Sequence, residues 1–229
     1  MASFDNAFHG RSAWMLSLLH SPNRPHFCKG VPLIESAKLS YPPMNATEEE
    51  EDQVVATNSF IIESYNGRIG GAIIEPIQAE GGDKHCSGRF LAKMQELFDQ
   101  HRIIVIVDEV QSGMGVAGTL WAYESLTYNG EIALKPDFVT WSKKAQVGGY
   151  HYTDRIRDTL KNQPFRIFNT WLGDPRKVKD MLLTLQYIRD NSILKQSEEL
   201  GEQFFKVISG VMDEYPEVTN CRGRGTTFF

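Results

Sequence analysis

A chain of 229 residues, 41% hydrophobic and 23% charged, is long enough to bury one sizeable core or two small ones. Its net charge of −5 argues against a nucleic-acid or anionic-membrane surface as the main partner, and no apolar run approaches the roughly 20 residues of a membrane helix. The three cysteines, Cys28, Cys86 and Cys221, are far apart and suggest neither a disulfide framework nor a paired-cysteine metal motif, which fits a reducing compartment.

Residues 1–20 join a polar turn, Phe8-His9-Gly10-Arg11, to an apolar stretch from Ala13 to Leu19, and read as neither signal peptide nor clear transit peptide. Pro22, Pro25, Pro32, Pro42 and Pro43 predict irregular chain over 21–46. Thr47, followed by Glu48 to Asp52, reads as the N-cap of a helix running to about Tyr65, with the acids as its solvated first turn. Asn66-Gly67 breaks that helix. Ala72-Ile73-Ile74 then forms a short strand closed by Glu75-Pro76, and Gly81-Gly82 forms a flexible loop. Phe90, Leu91, Met94, Leu97 and Phe98 fall at helical spacing and lead into Ile103–Val107. That uninterrupted β-branched run predicts a parallel strand buried on both faces, and it stops at Asp108. A shorter helix is expected over Leu120–Leu126, then a strand over Asp137–Ser142 that runs into Lys143-Lys144. Amphipathic helices follow near 176–190 and 193–214, and the tail Glu217–Phe229 reads as turns and an edge strand.

Strands alternating with helices predict an α/β fold, a mostly parallel sheet with helices on both faces. Such sheets bind ligands beyond the carboxyl ends of their strands, where Asp108 stands; the plainer alternative is that Asp108 only caps the following turn. A lysine at the same end of the next strand is the second signal. An Asp that keeps a pyridine nitrogen protonated and a Lys that forms a Schiff base are what a pyridoxal 5'-phosphate site requires. Spacing alone leaves Lys143 and Lys144 as rivals. Ile103–Glu109 also has the form of a Walker B strand, but the chain holds no G-x-x-x-x-G-K-[ST] loop to cradle a phosphate. Gly113-Met114-Gly115-Val116-Ala117-Gly118 fits G-x-G-x-x-G, yet Asp108–Ser112 separates it from the strand, so these glycines are read as shaping a tight loop. His20, His26 and Cys28 lack a fourth ligand and are read as loop residues, so no metal site is assigned.

Taken together, Ala7-Phe8-His9-Gly10-Arg11, Ile74-Glu75-Pro76-Ile77-Gln78-Ala79-Glu80-Gly81-Gly82-Asp83, Val107-Asp108-Glu109-Val110-Gln111 and Ser142-Lys143-Lys144 resemble the class III, pyridoxal-phosphate-dependent aminotransferases. Arg166-Ile167-Phe168-Asn169-Thr170-Trp171-Leu172-Gly173-Asp174-Pro175 narrows the resemblance to the eukaryotic 4-aminobutyrate aminotransferases of that family, truncated at both ends. The resemblance implies the large-domain core of a type I pyridoxal-phosphate transferase, over about 1–216, with 217–229 opening a C-terminal domain. It implies Lys143, directly after the serine, as the Schiff-base lysine. Asp108 would pair with the pyridinium nitrogen, Gln111 would bond the ring 3-hydroxyl, and Phe8 would lie on the ring face. Arg11 would grip the carboxylate of 4-aminobutyrate through a forked pair of hydrogen bonds. Glu80 would pair with a switch arginine, and Thr170 would reach the cofactor phosphate of the partner in a homodimer.

The implied activity is ping-pong transamination, 4-aminobutyrate being the donor and 2-oxoglutarate the acceptor, in a mitochondrial matrix or, if Met1 is the true start, the cytoplasm. The family's upstream glycine turn, which anchors the phosphate, and the domain bearing the switch arginine are not matched by any residue here. The alternatives are therefore a catalytically inactive truncated product or dimerisation partner, or another ω-amino-acid aminotransferase.

Overall fold

The computed structural model describes residues 1–21, 24–163 and 166–228. Its elements in chain order begin with β1 (Ala2–Phe4), α1 (Ala13–Ser17), α2 (Arg24–Phe27), β2 (Ala37–Leu39), α3 (Glu48–Ser64) and β3 (Gly71–Ile74). A small hairpin, β4 (Ile77–Gln78) and β5 (Lys84–His85), precedes α4 (Gly88–Gln100) and β6 (Ile104–Asp108). A second hairpin, β7 (Thr127–Tyr128) and β8 (Glu131–Ile132), comes before β9 (Phe138–Trp141) and β10 (Gly149–Tyr152). Then follow α5 (Asp154–Lys161), α6 (Pro175–Asp190), α7 (Ile193–Glu214) and a last hairpin, β11 (Gly223–Arg224) and β12 (Thr227–Phe228). Among the described residues no helix is long and apolar enough to cross a membrane.

The chain divides into two compact units, the first made of Met1–Asp108, Leu126–Thr140 and Tyr150–Asp158, the second of Glu109–Ser125, Trp141–Gly149 and Thr159 onward. The central sheet has six strands in the order β10-β9-β6-β3-β1-β2, and the ladders β2/β1, β1/β3, β3/β6 and β6/β9 are all parallel. This is the expected α/β fold with a mostly parallel sheet.

Its core is aromatic and aliphatic. Phe4, Tyr41 and Phe90 meet edge to face with centroids 5.9 to 6.4 Å apart, and Leu91, Met94 and Phe98 of α4 are buried with them. Within β6, Val105 and Val107 are fully buried, whereas Ile104 and Ile106 are only partly covered. The expectation of burial on both faces is corrected accordingly: one face is core and the other is half-sheltered.

Local signals held where side chains satisfy helix ends. Thr47 and Glu50 form a capping box, with Thr47 N–H donating to Glu50 at 2.8 Å and Glu50 N–H to Thr47 Oγ1 at 3.2 Å. The acids behind that cap are not simply solvated. Glu51 is buried, accepting from Ser87 Oγ and from Arg89 at 3.1 Å, and Asp52 takes both Arg89 and Lys93. These bonds tie α3 to the start of α4. Gly88, the first residue of α4, has no room for a side chain, because a Cβ there overlaps the Thr127 carbonyl. Gly88→Ala is expected to lower stability by about 1–3 kcal/mol, read from the midpoint of urea unfolding.

Several expected boundaries move. Residues 37–39 form a strand of the central sheet where the sequence reading placed irregular chain, and residues 2–4, to which it gave no element, form another. Leu120–Leu126 yields only a 3-10 turn over Ala122–Ser125. The Gly81-Gly82 loop is the tip of the β4/β5 hairpin, and the tail forms its own two-stranded hairpin instead of extending the main sheet.

In the second unit, α6 packs on α7. Asp174 caps α6 by accepting from Arg176 N–H at 2.9 Å, with Pro175 preset for the first turn. Helix α7 is pinned to the 113–118 loop, where Ser197 Oγ donates to the Val116 carbonyl at 3.1 Å. The glycines of that loop permit close packing: a Cβ on Gly113 would lie 2.9 Å from the Trp121 ring.

Candidate functional site

Four of the parallel strands carry the candidate residues at or just beyond their carboxyl ends. Phe8 lies four residues past β1, Glu75 directly follows β3, Asp108 ends β6, and Lys143 lies two residues past β9. The ladder pairs Asp108 with Thr140.

In the first unit Asp108 is 8% exposed and well held. Its Oδ2 lies 2.8 Å from His9 Nδ1, and its Oδ1 accepts from Thr140 Oγ1 at 3.3 Å. The His9 side chain is fully buried and its Nε2 has no partner among the described residues. A proton on Nε2 would be a buried donor with nothing to bond, so the tautomer that donates from Nδ1 to Asp108 is the favoured one. Asp108 is thus oriented by two neighbours, more than a turn cap requires. The sequence reading missed both. His9 stands inside the quoted Phe8-His9-Gly10-Arg11 motif, which is the signal that could have found it; Thr140 carries no local signal.

Phe8 is placed by its backbone, whose N–H donates to Glu75 Oε2 at 3.0 Å. Burial pushes the Glu75 carboxyl up to about 7, and the nearby Asp108 and Glu80 charges push the same way, while His9 and the Phe8 bond oppose them. The native state therefore holds a proton that the unfolded chain releases near pH 4.5. Stability is full below that pH and falls as pH rises through about 7. At about 1.4 kcal/mol per unit of separation, the loss is about 3 kcal/mol. Glu75→Gln is expected to remove this slope, which melting curves between pH 4.5 and 7.5 would reveal. Arg11 is exposed, with its guanidinium carbon 5.9 Å from the Phe8 ring centroid. Glu80 is also exposed, at the turn of the β4/β5 hairpin.

In the second unit the structure brings Gln111, Lys143 and Lys144 together. Lys143 Nζ donates to Gln111 Oε1 at 2.7 Å, and Lys144 Nζ donates to the Gln111 main-chain carbonyl. Lys143 therefore bonds a neutral amide and enters no salt bridge among the described residues. The Lys144 ammonium is disfavoured, first by burial and then by the Lys143 charge, with Glu109 opposing. The turn that carries both is braced. Gln146 sits in the left-handed region at φ +58°, and its backbone N–H and side-chain Nε2 both donate to the Lys143 carbonyl, at 2.9 and 3.0 Å. Glu109 is committed to its own loop, accepting from Ser112 Oγ at 2.5 Å and Tyr123 N–H at 2.8 Å. Thr170 is exposed in the turn before α6, and its side chain makes no hydrogen bond among the described residues.

The family profile described as aminotransferase class-III matches residues 1–228. The 4-aminobutyrate aminotransferase of Saccharomyces cerevisiae is 35% identical over 236 residues, covering 99% of this chain and 48% of that protein. The mitochondrial 4-aminobutyrate aminotransferase of Homo sapiens is 33% identical over 236 residues, covering 98% of this chain and 45% of its own. Among solved structures, a lysine aminotransferase from M. tuberculosis superposes with a TM-score of 0.84 at 29% identity, over 98% of this chain and 52% of that one. The chain thus spans about half the length of the curated relatives it matches. A profile matched almost end to end, on a parallel sheet whose strand ends carry the motifs, makes this chain a member of the class III aminotransferases.

Proposed function

We propose that the chain carries the residues of a pyridoxal-phosphate-dependent transaminase that takes the amino group of 4-aminobutyrate and gives it to 2-oxoglutarate. The observation that carries this reading is Asp108, buried at the end of a parallel strand and oriented by His9 and Thr140. The donor set suits the cofactor: an oriented carboxylate, an amine outside any ion pair among the described residues, and an aromatic ring fixed through its backbone. When bound, pyridoxal phosphate supplies an aldehyde that condenses with amines and a protonated ring that accepts electrons from the adjacent carbon.

In this reading Lys143 Nζ holds the cofactor and then moves the proton at the carbon that bears the substrate's amine. Asp108 keeps the ring nitrogen protonated, Gln111 bonds the ring hydroxyl once Lys143 leaves its side chain, and Phe8 covers one ring face. Arg11 grips the substrate carboxylate, and Glu80 holds a switch arginine when the ω-amino substrate is bound. Thr170 of one protomer reaches the phosphate site of the partner in a homodimer. A mitochondrial location is carried by the names of the human and Caenorhabditis elegans relatives.

Incubating the purified chain with pyridoxal phosphate, 4-aminobutyrate and 2-oxoglutarate is expected to yield glutamate and succinate semialdehyde in equal amounts. Faster glutamate formation from lysine, ornithine or β-alanine would move the substrate assignment. A second reading, an inactive piece that works only as a dimerisation partner, is favoured by the exposed apolar side chains of the second unit, Trp171 at 79%, Leu182 and Tyr187. Covalent cofactor capture without any glutamate would support it.

A further inference from the structure

Arg11 differs from two firmly held arginines of its unit. Arg89 and Arg155 are held by carboxylates at 2.8 and 2.6 Å. No acceptor among the described residues takes a hydrogen bond from Arg11. Its neighbours are instead two aromatic rings, Phe8 with its centroid at 5.9 Å and Phe27 at 4.9 Å. A guanidinium stacks on a ring through its face and keeps its in-plane N–H fork available. Arg11 therefore has a defined orientation and uncommitted donors.

The closer ring lies on an anchored turn. Phe27 is the last residue of α2, and the next residue, Cys28, is bonded twice: its N–H donates to the Arg24 carbonyl at 2.9 Å, and its Sγ lies 3.7 Å from the Leu16 carbonyl. Leu16 belongs to α1, which begins two residues after Arg11 and is capped by Ser12. Phe27 thus ends one short helical segment and Arg11 lies just ahead of the N-cap of the other, and the two segments are tied to one another.

We propose that Phe27 is a specificity-determining positioning residue: its ring sets the plane of Arg11, so that the guanidinium meets the carboxylate of an ω-amino acid edge-on with both donors of the fork. The inference rests on the reading of Arg11 as the carboxylate grip. It assigns Phe27 a role, acting through Arg11, in choosing amines that end in a carboxylate over amines that do not. Phe27 is 37% exposed, so replacing it opens no core.

The test compares 4-aminobutyrate with butylamine, which lacks the carboxylate, by calorimetric titration of the chain loaded with pyridoxal phosphate. Phe27→Leu keeps apolar bulk without a ring and is expected to reduce the preference for 4-aminobutyrate by about three- to tenfold, with butylamine binding unchanged. Phe27→Tyr is expected to retain the full preference. A Phe27→Leu variant that still prefers 4-aminobutyrate as strongly as the unsubstituted chain overturns the inference while leaving Arg11 in place. If Arg11→Ala keeps the preference, or the unsubstituted chain has none, the Arg11 assignment fails and this inference fails with it.

Discussion

Lys143→Arg is expected to abolish the borohydride-trapped cofactor adduct and to lower turnover by about 10⁴-fold or more, whereas Lys144→Arg keeps the adduct on Lys143. The arginine retains positive charge and length, but a guanidinium does not condense with an aldehyde at neutral pH. The two lysines are adjacent in sequence and both reach Gln111, so charge alone does not separate them. What separates them is the acceptor. Lys143 bonds a side-chain amide that can rotate away, and Lys144 bonds a main-chain carbonyl that cannot. Lys144 accordingly fastens the loop after β6 to the turn that carries Lys143, while the Lys143 ammonium can leave its partner at the cost of a single charge-assisted hydrogen bond, about 1.5–3 kcal/mol. Peptide mapping after reduction decides the matter: an adduct on Lys144 would reverse the assignment.

Asp108→Asn should reduce turnover by about 10³-fold with little change in KM. In the proposed role, the substitution removes the charge that would keep the ring nitrogen protonated, an interaction that would matter most in the transition state. The neighbours of Asp108 sharpen this expectation. His9 Nδ1 lies 2.8 Å from its Oδ2 and Thr140 Oγ1 lies 3.3 Å from its Oδ1, so the carboxylate has little freedom to turn. His9→Phe keeps the charge but deletes the firmer of the two contacts; a loss of about tenfold in kcat is expected, consistent with one hydrogen bond to a charged group. Equal turnover of Asp108→Asn and the unsubstituted chain would show that this carboxylate is only a turn residue, the plainer of the two readings its position allows.

The run Ile103–Val107 was legible because β-branched residues without a charge suit a sheltered strand, and β6 forms within one residue of that span. The Thr47 cap was legible because its signal is local. Ala2–Phe4 was not. Three residues of mixed polarity carry no periodicity, and β1 exists because β2 and β3 bond it on both sides, with Ser3 Oγ donating to the Leu18 carbonyl at 2.8 Å. Glu51 was misread as solvated for the same reason, since its partners Ser87 and Arg89 lie more than thirty residues away.

From the residues alone came the fold class, the parallel strands and their terminal acid and amine, because hydrophobic periodicity, caps and motif order are properties of short segments. Tertiary structure alone decided which groups orient Asp108, why the Glu75 carboxyl keeps its proton to about pH 7, and that Phe27 faces Arg11. Each of these depends on burial or on a partner distant in the chain, and the free energy of a charge in a folded protein is set by what surrounds it in space.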